Sequence, residues 1–153
     1  LSGGVYLGGT GSANKLDDYE YGTFTPTFTG SVSNPTVTYD GGVGNEGIYV
    51  KTGRSVFLQM NIRTDSVSGG SGELKISGLP FATPNLTGQG GYGSFSVARA
   101  ADWASNTPTG GEIAEHSSEI TLYSSGTISQ VSDLGTGSNS NLIRVSGTYY
   151  TTD

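Results

Sequence analysis

Hydrophobic and polar side chains alternate along several short segments of the chain, most clearly along Ser55–Arg63. In an extended conformation, one face of this segment would carry only apolar side chains: Val56, Leu58, Met60 and Ile62. The opposite face would carry Phe57, Gln59, Asn61 and Arg63. Because a period of two is typical of a half-buried strand, we predict a β-strand here with its apolar face in the core.

Other segments show similar but shorter patterns, separated by turn-forming residues. Gly47–Thr52 precedes the dipeptide Gly53-Arg54, which predicts a tight hairpin leading into Ser55–Arg63. A Ser/Gly loop is expected from Asp65 to Gly72, and Gly111–Ser118 is interpreted as a loop or one helical turn. About nine strands result, the others being Thr23–Phe28, Thr36–Tyr39, Glu73–Ser77, Gly93–Ala98, Glu119–Ser124, Thr127–Val131 and Leu142–Tyr150.

This spacing of strands and turns predicts an all-β fold, an antiparallel β-sandwich of jelly-roll type with almost no helix. The 26 glycines alone would suit a low-complexity coil, but nine Tyr and five Phe are spread through the β-branched segments. In the last strand Ile143, Val145, Gly147 and Tyr149 share a face. We expect another backbone or a bulky ring to approach Gly147 closely.

Five motifs follow one another along the chain in an order that resembles the C-terminal domain of tailed-bacteriophage tail-fibre and other receptor-binding tail proteins. They are a glycine-rich segment (3–11), an acidic-aromatic segment (16–26), Lys-Thr-Gly-Arg (51–54), Gly-Leu-Pro-Phe (78–81) and a closing strand with Ser-Gly-Thr-Tyr (142–153). Family members often have Glu-Gly-Thr-Trp-Thr-Pro where this chain has Tyr21-Gly-Thr-Phe24-Thr-Pro26. No shared motif covers the middle, from Asn85 to Ser118.

The resemblance implies a homotrimer on the exterior of the phage tail, with other tail proteins and a host cell-surface polysaccharide as partners. Residues 1–15 would be a glycine-rich segment continuing from an upstream part, and residues 16–153 one β-sandwich domain. Near the threefold contact we expect the candidate assembly residues Tyr6, Leu7, Asp17, Asp18 and Tyr19.

Composition excludes several other classes of function. The chain has no cysteine, so it has neither disulfides nor a thiolate site. A net charge of −6 with seven scattered Lys and Arg argues against nucleic-acid binding. No apolar run approaches the ~20 residues of a membrane-spanning helix, so membrane insertion is not expected.

Motifs for catalysis or cofactors match poorly. The segment Gly8–Lys15 lacks the glycine before lysine and the following Ser or Thr of a phosphate-binding loop. Glu112, Glu115, His116 and Glu119 lack the spacing of a metal-binding helix, and Asp17, Asp18 and Glu20 lack that of a calcium loop. His116 is the only histidine, which argues against a serine triad. No metal, no cofactor and no enzymatic activity are therefore expected.

Sugar binding remains, because the apolar face of a pyranose stacks on aromatic rings while its hydroxyls need hydrogen-bonding partners. The candidate glycan-binding residues are Trp103, Asp102, Asn106, Tyr92 and Tyr123. Trp103 lies in a turn-prone stretch of small residues, where a functional loop and a ring buried under that loop are equally good interpretations.

The sequence thus predicts the terminal domain of a phage tail fibre that recognises the host surface. Two alternatives stay open. A purely structural trimerisation cap or virion decoration module would be favoured by a fully buried Trp103. A polysaccharide depolymerase would need two carboxylates in a cleft, either about 5–5.5 Å or about 6.5–9.5 Å apart.

Overall fold

The computed structural model describes Val5, Tyr6, Gly8, Lys15, Leu16 and the ranges 18–86 and 90–152. These residues form thirteen strands and one 3-10 turn, Val131–Asp133. The strands are β1 (Val5–Tyr6), β2 (Lys15–Leu16), β3 (Tyr19–Phe24), β4 (Thr27–Gly30), β5 (Thr36–Tyr39), β6 (Asn45–Thr52), β7 (Ser55–Ser68), β8 (Leu74–Ser77), β9 (Gly93–Ala101), β10 (Gly110–Ile113), β11 (Ile120–Ser124), β12 (Thr127–Ile128) and β13 (Ser140–Tyr150).

Every pair of neighbouring strands is antiparallel. β1 and β2 pair with each other, and the remaining strands form one sheet with the order β3-β6-β7-β13-β9-β10-β11-β8-β4. β12 pairs with β11, and β5 with β7. The all-β antiparallel prediction is confirmed. In place of the two packed sheets of a jelly-roll sandwich, strands β3 to β13 form one sheet that curls into a half-barrel.

Pro26 explains why the sheet has this order. The predicted strand Thr23–Phe28 is two strands, β3 and β4, which lie at opposite ends of the sheet although only Thr25 and Pro26 separate them. Proline has no backbone N–H to donate to a ladder, so it ends the pairing and turns the chain. The sheet must therefore curl to bring its two ends together.

The central strand β7 confirms the predicted alternation. Val56, Leu58, Met60 and Ile62 are buried on the inner face of the curled sheet, and Phe57 is exposed on the outer face. The strand is longer than predicted because its second half does not become a loop. It pairs instead with β5, from Thr36 opposite Ser68 onward.

The core fills the inside of the curl. β13 contributes Tyr149, whose ring centroid lies 6.1 Å from that of Phe95. The close approach predicted at Gly147 is confirmed, since a Cβ there would lie 2.5 Å from Cδ1 of Phe95. The other buried apolar residues are Phe28, Val56, Leu58, Met60, Ile62, Val67, Leu74, Ile76, Leu79, Ile113, Ile120, Leu122, Val131, Leu134, Leu142, Ile143 and Val145.

The loop or helical turn predicted at Gly111–Ser118 is also wrong for its first residues. Residues 111–113 belong to strand β10, which pairs with both β9 and β11. Ile113 is buried, while Glu112 lies on the opposite face. Gly111 allows the chain to pass close to Ile120, where a Cβ would approach Cγ2 to 2.6 Å. Two glycines at the start of the strand hid its short alternation.

Candidate functional site

The outer face of the sheet carries a group of exposed apolar side chains on β3, β6, β7 and β13. Tyr21 pairs with Val50, which pairs with Phe57, so these three residues form one row across three strands. Tyr21 is 76% exposed and Phe57 is 44% exposed. We call this group the apolar patch, and its members are Tyr19, Tyr21, Ile48, Val50, Phe57 and Tyr150.

A groove of about 470 Å³ lies on the same face, next to the apolar patch and further along the same strands. Such a volume falls in the range of about 300–1,000 Å³ that small-molecule sites occupy. Ile48 belongs to both surfaces. The groove is lined by Val43, Glu46, Gly47, Ile48, Gln59, Met60, Asn61, Ala98, Arg144, Val145 and Ser146.

The polar side chains of the groove come from three neighbouring strands. Glu46 of β6 pairs with Asn61 of β7, and Asn61 pairs with Arg144 of β13. Nε of Arg144 donates a hydrogen bond of 3.4 Å to Oδ1 of Asn61. Gln59 and Ser146 form the adjacent pair. The groove thus offers a carboxylate, two amides, a hydroxyl and a guanidinium beside apolar side chains.

Trp103 lies in the loop between β9 and β10, with its indole already engaged by the protein. Nε1 donates a hydrogen bond of 3.1 Å to the carbonyl oxygen of Leu142. The ring packs edge-on against Phe28, with centroids 5.8 Å apart. Its half-buried side chain therefore fixes the loop to the core, and only part of the ring faces solvent.

The buried carboxylate of Asp133 holds the rest of this loop. Oδ1 accepts hydrogen bonds from Oγ of Ser105 at 2.6 Å and from Nδ2 of Asn106 at 2.9 Å. Oδ2 accepts one from the backbone N–H of Gln130 at 2.7 Å. Burial raises the pKa of Asp133, but these three hydrogen bonds outweigh it, and the pKa is lowered.

Asn106 is exposed, and its Nδ2 is thus engaged by Asp133. Asp102, which precedes Trp103, is exposed, and its carbonyl oxygen accepts a hydrogen bond of 3.0 Å from the backbone N–H of Asn141. Both Asp102 and Asn106 have positive φ angles, 61° and 38°. Asp and Asn tolerate this conformation better than most residues, which accounts for their presence at these turns.

The two candidate tyrosines lie together on the outer face near β10. Tyr92 is 44% exposed just before β9, and Tyr123 lies on β11 opposite Gly110. Burial raises the pKa of Tyr123, and the negative charge and hydrogen bond of Glu112 raise it further. The sequence-predicted glycan residues thus form two groups, one in the Trp103 loop and one around Tyr123.

The candidate assembly residues have different surroundings. Tyr19 belongs to the apolar patch, and Tyr6 of β1 is 49% exposed. Asp18 forms an ion pair with Lys51, whose ammonium lies 5.3 Å from the ring centroid of Phe81. The carboxylate of Asp18 thus ties the start of β3 to the core of its own chain. Leu7 and Asp17 lie outside the described residues.

The acidic candidates for metal binding have other partners. Oε1 of Glu115 accepts a hydrogen bond from the backbone N–H of Gly91 at 3.2 Å, and Glu119 lies 3.6 Å from Nζ of Lys75. Within the described ranges, no three His, Cys, Asp or Glu residues come together as metal ligands. The same part of the chain contains no helix long and apolar enough to cross a membrane.

The chain matches no family model and no curated protein. Among solved structures it is similar to the crystal structure of the Dettilon tailspike protein, with a TM-score of 0.62 and 17% sequence identity. The match covers 86% of this chain and 24% of that protein. At this identity the match shows a shared fold, and it links that fold to a phage tail protein.

This match also corrects one sequence-based expectation. The chain was expected not to be an enzyme, but tailspikes are typically polysaccharide-degrading enzymes. That expectation rested on the poor match to catalytic motifs and on the tail-fibre resemblance, which did not distinguish fibres from tailspikes. The prediction that the chain has no enzymatic activity is therefore wrong.

Proposed function

We propose that this chain is a domain of a phage tail protein, exposed on the virion, that recognises a polysaccharide on the host surface. The outer face of the sheet is the observation that carries the proposal. There an open groove with five hydrogen-bonding side chains adjoins a row of exposed aromatic and aliphatic side chains. The shared fold with a tailspike supports a place in the phage tail.

The chemistry of this face suits sugars. A pyranose ring has an apolar face that stacks on aromatic and aliphatic side chains, and its hydroxyls both donate and accept hydrogen bonds. Phe57 and Ile48 would supply apolar contacts, and Gln59, Asn61 and Ser146 would supply the hydrogen bonds. An extended saccharide could thus lie across β6, β7 and β13.

We further propose that the domain assembles as a homotrimer, next to other tail proteins, through the end of the apolar patch that lies away from the groove, at Tyr19, Tyr21 and Tyr150. None of the six patch residues carries a formal charge, although the chain has a net charge of −6. Identical copies could therefore meet there without strong charge repulsion. Three copies would also multiply weak sugar contacts through effective concentration.

A purely structural cap is the second candidate, and the surroundings of Trp103 favour it. The indole N–H and much of the ring are used inside the protein, as in a ring that stabilises a loop. In that case the loop would be a rigid support, and the outer face would serve assembly only.

The test is binding of the 153-residue chain to a panel of purified bacterial surface polysaccharides, measured by biolayer interferometry. Ser146→Trp would fill the groove, while Ser94→Trp would place the same ring on the outer face near β10, opposite Glu112. The proposal expects Ser146→Trp to abolish binding and Ser94→Trp to retain it. Loss of binding in Ser94→Trp but not in Ser146→Trp would indicate that the site lies at the tyrosine group. Failure of the wild type to bind any member would favour the cap. Release of reducing ends from a bound polysaccharide would reveal cleavage.

A further inference from the structure

Two arginines lie side by side at the edge of the groove. Arg144 of β13 is directly opposite Arg99 of β9, and both side chains are exposed. Directly opposed residues in an antiparallel pair have Cβ atoms about 4.5–5.5 Å apart, and like charges there destabilise the sheet. Two of the seven Lys and Arg residues of a chain with net charge −6 thus adjoin each other.

Neither guanidinium is neutralised within the described ranges, 18–86 and 90–152. The ion pairs within 4.0 Å in these ranges join Lys51 to Asp18 and Lys75 to Glu119. Neither pair involves Arg144 or Arg99. The hydrogen bond of Arg144 to Asn61 uses Nε, so both terminal nitrogens stay available for a ligand. A guanidinium presents its donors in a fork that matches a carboxylate or another planar anion.

The strand geometry beside these arginines is irregular. The register between β13 and β9 shifts between Arg144 and Val145, so Ala98 is an extra residue in β9. Ala98 lines the groove, so the bulge lies at the border of the groove. Bulges re-aim side chains and often lie next to functional sites. The bulge therefore joins the pair of arginines to the groove.

We infer that the groove binds an acidic saccharide, a sugar residue whose carboxylate lies between Arg144 and Arg99. This inference rests on the proposed function and names the class of sugar that the face would take. The hydroxyls of the sugar would bond to Asn61, Gln59 and Ser146. Glu46 lies on the far side of β7 from Arg144, where it would accept hydrogen bonds from hydroxyls and repel a second carboxylate. The groove thus has a negative charge at one end and two positive charges at the other, and these charges fix the direction in which the saccharide lies.

The test compares two ligands with the same sugar backbone, tetragalacturonate and its uncharged methyl ester, by isothermal titration calorimetry on the full chain. We expect the acid to bind at least tenfold more tightly than the ester. Arg144→Gln and Arg99→Gln should each remove most of this difference. Arg54→Gln is the matched control, because it makes the same change of charge at the exposed turn between β6 and β7 and should bind like wild type.

Equal affinity for acid and ester, or an equal loss with Arg54→Gln, would overturn the acidic-saccharide site. The polysaccharide panel separates this failure from failure of the proposed function. If neutral polysaccharides bind through the groove and Arg144→Gln leaves that binding unchanged, the inference fails while the proposed function survives. If no polysaccharide of either kind binds, both fail. Circular dichroism of each variant would confirm that the fold is retained.

Discussion

Replacing Asp133 by Asn should strongly destabilise the domain, because one buried carboxylate anchors the loop that carries Trp103. The substitution keeps the shape and removes the charge. Two hydrogen bonds, from Ser105 and Asn106, become neutral. The third turns unfavourable, since the new NH₂ group faces the backbone N–H of Gln130.

The magnitude follows from these three contacts. Hydrogen bonds to a charged group contribute about 1.5–3 kcal/mol and neutral ones about 0.5–1.5, so each weakened bond costs about 1 kcal/mol. The orphaned N–H of Gln130 adds about 1–3 kcal/mol. The two weakened hydrogen bonds and the unpaired N–H together should lower the free energy of unfolding by about 3–5 kcal/mol.

The assay is urea unfolding followed by the fluorescence of Trp103, with Asp102→Asn as the control. Asp102 is an exposed carboxylate in the same loop, and Asn also tolerates its φ of 61°. The control should stay within about 0.5 kcal/mol of wild type. A loss below 1 kcal/mol for Asp133→Asn would refute the reasoning that Asp133 anchors the loop.

The lowered pKa of Asp133 gives this prediction a pH dependence. A carboxyl whose pKa is lower in the folded state stabilises the fold above its ordinary pKa of 3.8, and this contribution is lost as the pH falls below it. The difference in free energy of unfolding between wild type and Asp133→Asn should therefore become smaller below about pH 4. A gap that stays constant from pH 7 to pH 3 would contradict the charge-based explanation.

Three further predictions concern the core and its edges. Gly147→Ala places a methyl group 2.5 Å from an aromatic carbon and should cost about 1–3 kcal/mol in urea unfolding, whereas Gly41→Ala, with no atom within 4 Å, should be neutral. Asp18→Ala leaves the ammonium of Lys51 buried and unpaired, so it should cost about 3 kcal/mol. Lys51→Met leaves only the half-exposed carboxylate unpaired and should cost less, and the reverse order would refute the burial argument. Burial raises the pKa of Tyr149 to about 12, so wild type should lose more stability than Tyr149→Phe as the pH rises from 10 to 12, and equal losses would contradict this.

The strands could be predicted where apolar and polar residues alternate strictly, as in Ser55–Arg63, because this alternation directly indicates which side chains are buried. The closing strand was predicted for the same reason, including the close approach at Gly147. Strand β10 could not be predicted, because glycines hide its alternation. The separation of β3 from β4 is a property of the whole sheet, which local pattern does not contain.

Less of the candidate site could be predicted from the sequence, because its residues come together only in the tertiary structure. Phe57, Gln59 and Asn61 were correctly assigned to the outer face of β7, but their neighbours on β6 and β13 come from distant parts of the chain. The pairing of Arg144 with Arg99 depends on a bulge that no local motif marks. Trp103 drew attention as the only tryptophan, although its ring is partly buried and its N–H is already bonded.

Hydrogen–deuterium exchange, with and without an oligosaccharide prepared from a polysaccharide that the chain binds, tests whether the groove on the outer face recognises the polysaccharide. We expect slower exchange in peptides that cover 45–62 of β6 and β7 and 142–148 of β13. Protection confined to the Trp103 loop, 102–106, or to the tyrosine group around β10, would contradict it.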